Sequence, residues 1–160
     1  MKKKIIGNLI LPFLLVLWML IQSCGEAGYQ PQGDYISGHV FFSDTNLITS
    51  GGYYAVSVYE DQAQPYTYFP LKSDSIDVSN YSQLGSVYYR GSPPAVPGTY
   101  YFAVTWVRSP YDPNYRPPVL GTLGCDTLRS CTTYSRIAFP NFTGANYNIL
   151  AWSDTTRRLY

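Results

Sequence analysis

Histidine is almost missing: the 160-residue chain carries one, His39. That excludes a multi-histidine zinc centre and leaves a Ser-His-Asp triad a single residue to rest on. Charge is scarce too, at 13% of residues, and 11 Lys+Arg against 10 Asp+Glu give no basic footprint for nucleic acid. No apolar run reaches the ~20 residues of a membrane-spanning helix. Gly-rich phosphate loops, Gly-x-Ser-x-Gly elbows and His-Glu-x-x-His are absent, which removes the common hydrolase frameworks. Beyond Ser23 no 3.6-residue apolar period persists past two turns, so a helical bundle is excluded. The sequence therefore predicts no catalytic residue, no cofactor and no metal.

What is present begins with an address. Lys2–Lys4 form a positive cluster, and Leu9–Ile21 is an apolar run of 13 residues interrupted by one Pro. This is the layout of a secretory signal. The run ends in Ile21-Gln22-Ser23-Cys24, followed by Gly25. That tetrapeptide resembles the bacterial lipobox: aliphatic at −3, small at −1, Cys at +1, with Gln22 departing from the usual small residue at −2. The resemblance implies cleavage before Cys24 and acylation of Cys24, since several acyl chains hold a protein stably where one does not. Removing residues 1–23 from the 160 leaves 137, with 8 basic against 10 acidic side chains, a balance of −2. Gly25 is not the Asp that retains such proteins at an inner membrane, so the outer membrane is expected, at its periplasmic leaflet or the cell surface. Residues 24–33, rich in Gly, Pro and Gln, read as a flexible tether.

The remaining 34–160 is one domain in size and reads as all-β. Ile36, Gly38, Val40 and Phe42 alternate with Tyr35, Ser37, His39 and Phe41. Tyr54, Val56 and Val58 alternate with Tyr53, Ala55, Ser57 and Tyr59. Thr99–Val107 and Tyr147–Trp152 are short, β-branched and aromatic, and Tyr66–Leu71, Leu84–Arg90 and Thr133–Phe139 are weaker strand candidates. Gly and Pro clusters at 50–52, 91–94, 96–98 and 116–118 mark turns. About seven strands predict a single antiparallel β-sandwich.

The run Ile36-Ser37-Gly38-His39-Val40 and then Tyr54-Ala55-Val56-Ser57-Val58 resembles the opening of carboxypeptidase-regulatory-like domains, which have a transthyretin-like (prealbumin-like) sandwich. Their turn ending in Pro-Gly before a Tyr-rich strand is similar to Gly91–Val104 here. The likeness spans roughly Tyr35–Trp106. It departs from the pattern in lacking the Asp-x-x-Gly hairpin and in the Pro-rich insert Ser109–Pro118. It implies an accessory or binding module without catalytic residues.

With Cys24 assigned to lipid, Cys125 and Cys131 form an even pair in an exported chain, and a disulfide is expected; a redox or zinc pair is the alternative. His39 falls mid-strand, where a hydrogen-bonded or solvent-facing ring is expected rather than a catalytic base. Glu60 and Asp61 with Asp112 or Asp126 could surround Ca²⁺, but no spaced calcium loop exists. Asn80-Tyr81-Ser82 and Asn141-Phe142-Thr143 match a glycosylation sequon that a lipobox-bearing chain gives little reason to use.

Aromatics make up 17% of the chain, and all 17 Tyr lie beyond residue 23. Tyr111-Asp112-Pro113-Asn114-Tyr115 places two of them with polar neighbours in a Pro-bounded loop, suited to stacking on sugar rings or peptide segments. The competing reading has Tyr only decorating the sandwich, and Trp106 and Trp152 belong to the core. The expected function is a non-enzymatic, lipid-anchored envelope module that binds a protein partner or supports an assembly. A glycan-binding lipoprotein using Tyr111, Asp112, Asn114 and Tyr115 is the alternative, and a small hydrolase or inhibitor the third.

Overall fold

Strict alternation of apolar and polar residues puts one side of a strand inside, and in Ile36–Phe42 (β1) the buried positions are Ile36, Gly38, Val40 and Phe42. The computed structural model describes residues 35–62, 65–91, 94–131, 133–140 and 146–160. The signal segment, Cys24, the tether and the Asn141 sequon lie outside these residues. Seven further strands follow: β2 Gly52–Glu60, β3 Lys72–Ser75, β4 Val87–Gly91, β5 Gly98–Arg108, β6 Val119–Thr122, β7 Ile137–Phe139 and β8 Ile149–Ala151. They form a three-stranded sheet, β4-β1-β8, and a five-stranded sheet, β3-β2-β5-β6, with β7 pairing the start of β5. The chain is an all-β sandwich, as its alternation predicts.

Four expectations need correction. Tyr66–Leu71 is not a strand. A 3-10 turn occupies Pro65–Thr67, and the strand begins later, at Lys72. Tyr66 is withdrawn from strand geometry because its ring packs among Tyr59, Tyr101, Tyr134 and Tyr160. Leu84 closes a helical turn, Tyr81–Leu84, so that strand starts at Val87, and the strand sought in Thr133–Phe139 shrinks to Ile137–Phe139. The sandwich is also not wholly antiparallel: β8 runs parallel to β1, with Val40 opposite Ile149 and Phe42 opposite Ala151.

The interior between the sheets joins Val40 and Phe42 from β1, Tyr54, Val56 and Val58 from β2, Phe102 and Val104 from β5, and Leu120 and Ile149. Burying each such side chain contributes about 1.5–3 kcal/mol. Trp106 and Trp152 are half-buried and pack against this interior, and Arg157 covers the Trp152 ring. Tyrosine fits here because its ring fills the core while its hydroxyl bonds loop backbone. Tyr54 Oη accepts from the Ile48 N–H at 2.9 Å and donates to the Ser153 carbonyl at 2.6 Å. Tyr89 Oη donates to the Tyr147 carbonyl, and Tyr100 Oη to that of Val96.

Two glycines mark where backbones touch. A Cβ on Gly38 would overlap the Tyr147 carbonyl, and one on Gly121 would overlap the Leu150 carbonyl and the Ala151 backbone. The Gly121 approach brings β6 of one sheet against β8 of the other, where the Trp152 N–H reaches the Leu120 carbonyl at 3.0 Å.

Candidate functional site

The five-stranded sheet is lined with side chains on both faces. Opposite the sandwich interior, β2 and β5 point Tyr53, Ala55, Ser57, Tyr59 and Tyr101, Ala103, Thr105, Val107 outward. Antiparallel register pairs Tyr59 with Tyr101 at one end and Tyr53 with Val107 at the other. Between them lies a short run of hydroxyls: Ser57 Oγ meets Ser73 Oγ at 2.6 Å and Thr105 Oγ1 at 2.7 Å. Ser57 and Thr105 are buried and all three hydroxyls are satisfied, so the outer face has no cost to recover by staying wet there.

The Tyr59 end is closed. Tyr66 stacks on Tyr160 with ring centroids 5.6 Å apart and meets Tyr59 edge-on at 5.1 Å and Tyr134 at 4.9 Å. Tyr66 Oη donates to the Phe102 carbonyl. The C-terminal residues are held along β6, with the Leu159 N–H bonding the Val119 carbonyl at 2.7 Å. Arg136 binds Tyr101 Oη at 2.7 Å and pairs with Asp61 at 3.7 Å. Burial pushes the Tyr59 and Tyr66 hydroxyls well above the usual phenol range, because a phenolate there would lose its water. Burial, reinforced by the hydrogen bond to Tyr160, pushes Tyr134 up to about 12.

The Tyr53 end is open. A groove of about 350 Å³ lies over Tyr53 and Val107, between Phe69–Ser73 on one side and Tyr111, Pro113, Tyr115 and Pro117 on the other. Its aromatic rims reach solvent: Tyr111 is 74% exposed, Phe69 53% and Tyr53 39%. The loop that carries Tyr111 and Tyr115 is shaped by Asp112. Its Oδ1 accepts from the Asn114 N–H at 2.9 Å, an Asx turn, and its carbonyl accepts from the Tyr115 N–H at 3.1 Å. Arg108 sits 4.0 Å over the Tyr115 ring and 4.0 Å from the Asp112 carboxylate, fixing that ring as a wall. Arg116 is spent on the Thr67 carbonyl at 2.6 Å, which ties the loop to the residues leading into β3.

Of the residues singled out from sequence, Tyr111 and Tyr115 border the groove, whereas Asp112 and Asn114 shape the loop behind them. Sequence reasoning missed Tyr53, Phe69 and Leu71. Their signal was only an aromatic and apolar excess, and they meet the Tyr111–Tyr115 loop only in the folded chain, where all five line one groove. Cys125 and Cys131 are joined, with Cα atoms 5.7 Å apart. Their loop is tied to the C-terminal segment by Arg129, which donates to the Arg158 carbonyl.

The remaining candidates are scattered. His39 lies on the outer face of the three-stranded sheet, its Nδ1 3.2 Å from Ser86 Oγ and its ring edged by Tyr88. Asp61 pairs with Arg136, Asp112 with Arg108, and the Asp126 carboxylate accepts from the Leu150 N–H. The structure does not bring these acids together, and among the described residues no three His, Cys, Asp or Glu side chains gather around a cation position. Also among the described residues, no helix is long and apolar enough to cross a membrane. Comparison with protein families, curated proteins and solved structures returns no match for this chain.

Proposed function

We propose that this protein is a non-enzymatic binding module of the bacterial envelope, anchored through lipid on Cys24, and that it recognises its partner in the groove between Phe69–Ser73 and Tyr111–Pro117. The observation that carries the reading is the open aromatic end of the outer sheet face. Exposed Tyr111 and Phe69 flank a recess whose far wall, Tyr115, is held in place by Arg108. Rigid walls on a loop-and-sheet scaffold lower the ordering cost of binding. The lipobox resemblance at 21–24 supports the anchor. The likeness to carboxypeptidase-regulatory-like domains supports an accessory role. The envelope context alone is compatible with a protein or a glycan as the partner. The groove's own chemistry favours the second reading, a glycan.

The anchor is tested by Cys24→Ala, which should leave the precursor unprocessed or shift the protein out of the membrane fraction. A processed, membrane-bound Cys24→Ala protein would refute it. The groove is tested in intact cells with a diazirine-bearing residue at position 111 and, as control, at Leu128, which is also exposed, on the disulfide loop. Adducts, detected by mass spectrometry and glycan staining, should form from position 111 alone. Equal adducts from both positions, or none from 111, would overturn the groove as the recognition surface.

A further inference from the structure

We infer that the groove's ligand is a neutral saccharide of one or two rings; this rests on the groove being the recognition surface. Size sets the first bound. About 350 Å³ lies near the lower end of the roughly 300–1,000 Å³ of small-molecule sites, which suits a sugar ring or two and not a folded partner. Charge sets the second. Lys72 is the single charged residue among those lining the groove, and its Nζ is 3.0 Å from Asp74 Oδ1. The two arginines behind the loop are likewise engaged, Arg108 with Asp112 and Tyr115, Arg116 with the Thr67 carbonyl. Among the described residues, an anionic ligand would find no uncommitted cation here, and a cationic one no carboxylate lining the recess.

Hydrogen-bond supply sets the third bound. An extended peptide needs a row of main-chain partners. On the groove floor the backbone is already paired, Tyr53 with Val107, the Leu71 N–H is committed to the Val58 carbonyl, and sheet-edge main chain is confined to the short β3 at Ser73. Pro70, Pro113 and Pro117 bring no N–H at all. What remains are ring faces with phenol tips, from Tyr53, Tyr111 and Tyr115. A sugar matches that set: its C–H face lies on an aromatic ring while its rim of hydroxyls reaches the phenols. Tyr111, the most exposed of the three, is the stacking platform.

The test is titration of the full-length, detergent-solubilised protein with neutral gluco-, manno-, galacto- and N-acetylhexosamine oligosaccharides, uronic-acid oligosaccharides, and a proline-rich peptide. At least one neutral oligosaccharide should bind saturably, with affinity unchanged between low and high salt. Tyr111→Ala should weaken it about tenfold and Leu128→Ala should leave it unchanged. Tyr53→Ala is the second groove variant, and both are checked for an intact thermal midpoint. Preference for uronic acids with steep salt dependence overturns the neutral-ligand claim. Saccharide binding that survives both Tyr variants overturns the location. Peptide binding lost in Tyr111→Ala, without any saccharide binding, overturns the saccharide while the recognition groove stands. No binding across the panel together with no adducts from position 111 in cells defeats both readings.

Discussion

Tyr53 and Tyr59 lie on the same strand and the same face of it, yet Tyr59 is 1% exposed and Tyr53 39%. The difference is in what arrives from elsewhere in the chain. Over Tyr59 come Tyr66 from a 3-10 turn, Tyr134 from a loop and Leu159 with Tyr160 from the C-terminal segment. Over Tyr53 no such aromatic cluster closes in: Arg108 holds Tyr115 aside, and Phe69–Ser73, which runs along the Ser57–Val58 stretch of β2, forms another border of the groove. One residue type therefore serves as mortar at one end of a sheet and as a binding surface at the other. Composition could not separate the two uses. Among the described residues seven Tyr are buried, at 54, 59, 66, 81, 89, 100 and 101, so much of the aromatic excess is architecture, and the exposed few are the ones to question about ligands.

The sharpest break of this comparison is Tyr66→Ala. Removing the ring at the centre of the closed end should cost about 3–5 kcal/mol and lower the thermal midpoint by about 10–20 °C. A loss under about 1 kcal/mol would show the closed end to be as loosely built as the open one. The joint change Cys125→Ser, Cys131→Ser should cost about 2–2.5 kcal/mol by loss of a short closed loop. Because Arg129 in that loop holds the Arg158 carbonyl, proteolysis of the double-serine variant should begin at the C-terminal segment; cleavage starting elsewhere would argue against the tie. Among hydroxyls, Tyr54→Phe should cost about 1–2 kcal/mol, since it strands the Ile48 N–H and the Ser153 carbonyl. Tyr59→Phe should be nearly neutral, because among the described residues that buried hydroxyl has no hydrogen-bond partner. Equal losses in chemical denaturation would contradict the difference.

The smallest effect is alkaline. Tyr59, Tyr66 and Tyr134 hold their protons more firmly folded than unfolded, so the stability they contribute is complete below the unfolded phenol range near 10. It should be lost as pH climbs from about 10 through about 12, where Tyr134 ionises. Midpoints followed with tyrosinate absorbance should fall together over that window. A midpoint that stays flat while these phenols ionise would count against a closed end.

Much of the sandwich was legible because alternation is a local signal. β1 and the long strand Gly98–Arg108 follow directly from it. β6 was not, since Val119-Leu120-Gly121-Thr122 is short, buried throughout and preceded by two prolines. The parallel pairing of β8 depends on where a distant segment returns, which no window of sequence contains. Tyr66–Leu71 misled because aromatic density resembles a strand, when its Tyr was needed on the outer face instead. For the groove, a Pro-bounded Tyr loop pointed to Tyr111 and Tyr115. Phe69 and Tyr53 join them only through tertiary pairing.

Hydroxyl-radical footprinting of the folded protein, read residue by residue by mass spectrometry, probes both ends of the sheet face at once. Tyr53, Phe69 and Tyr111 should label rapidly, while Tyr59, Tyr66 and Tyr101 stay protected until unfolding. Comparable labelling of the two sets, or protection of Tyr111 in the free protein, would contradict one face closed at one end and open for recognition at the other.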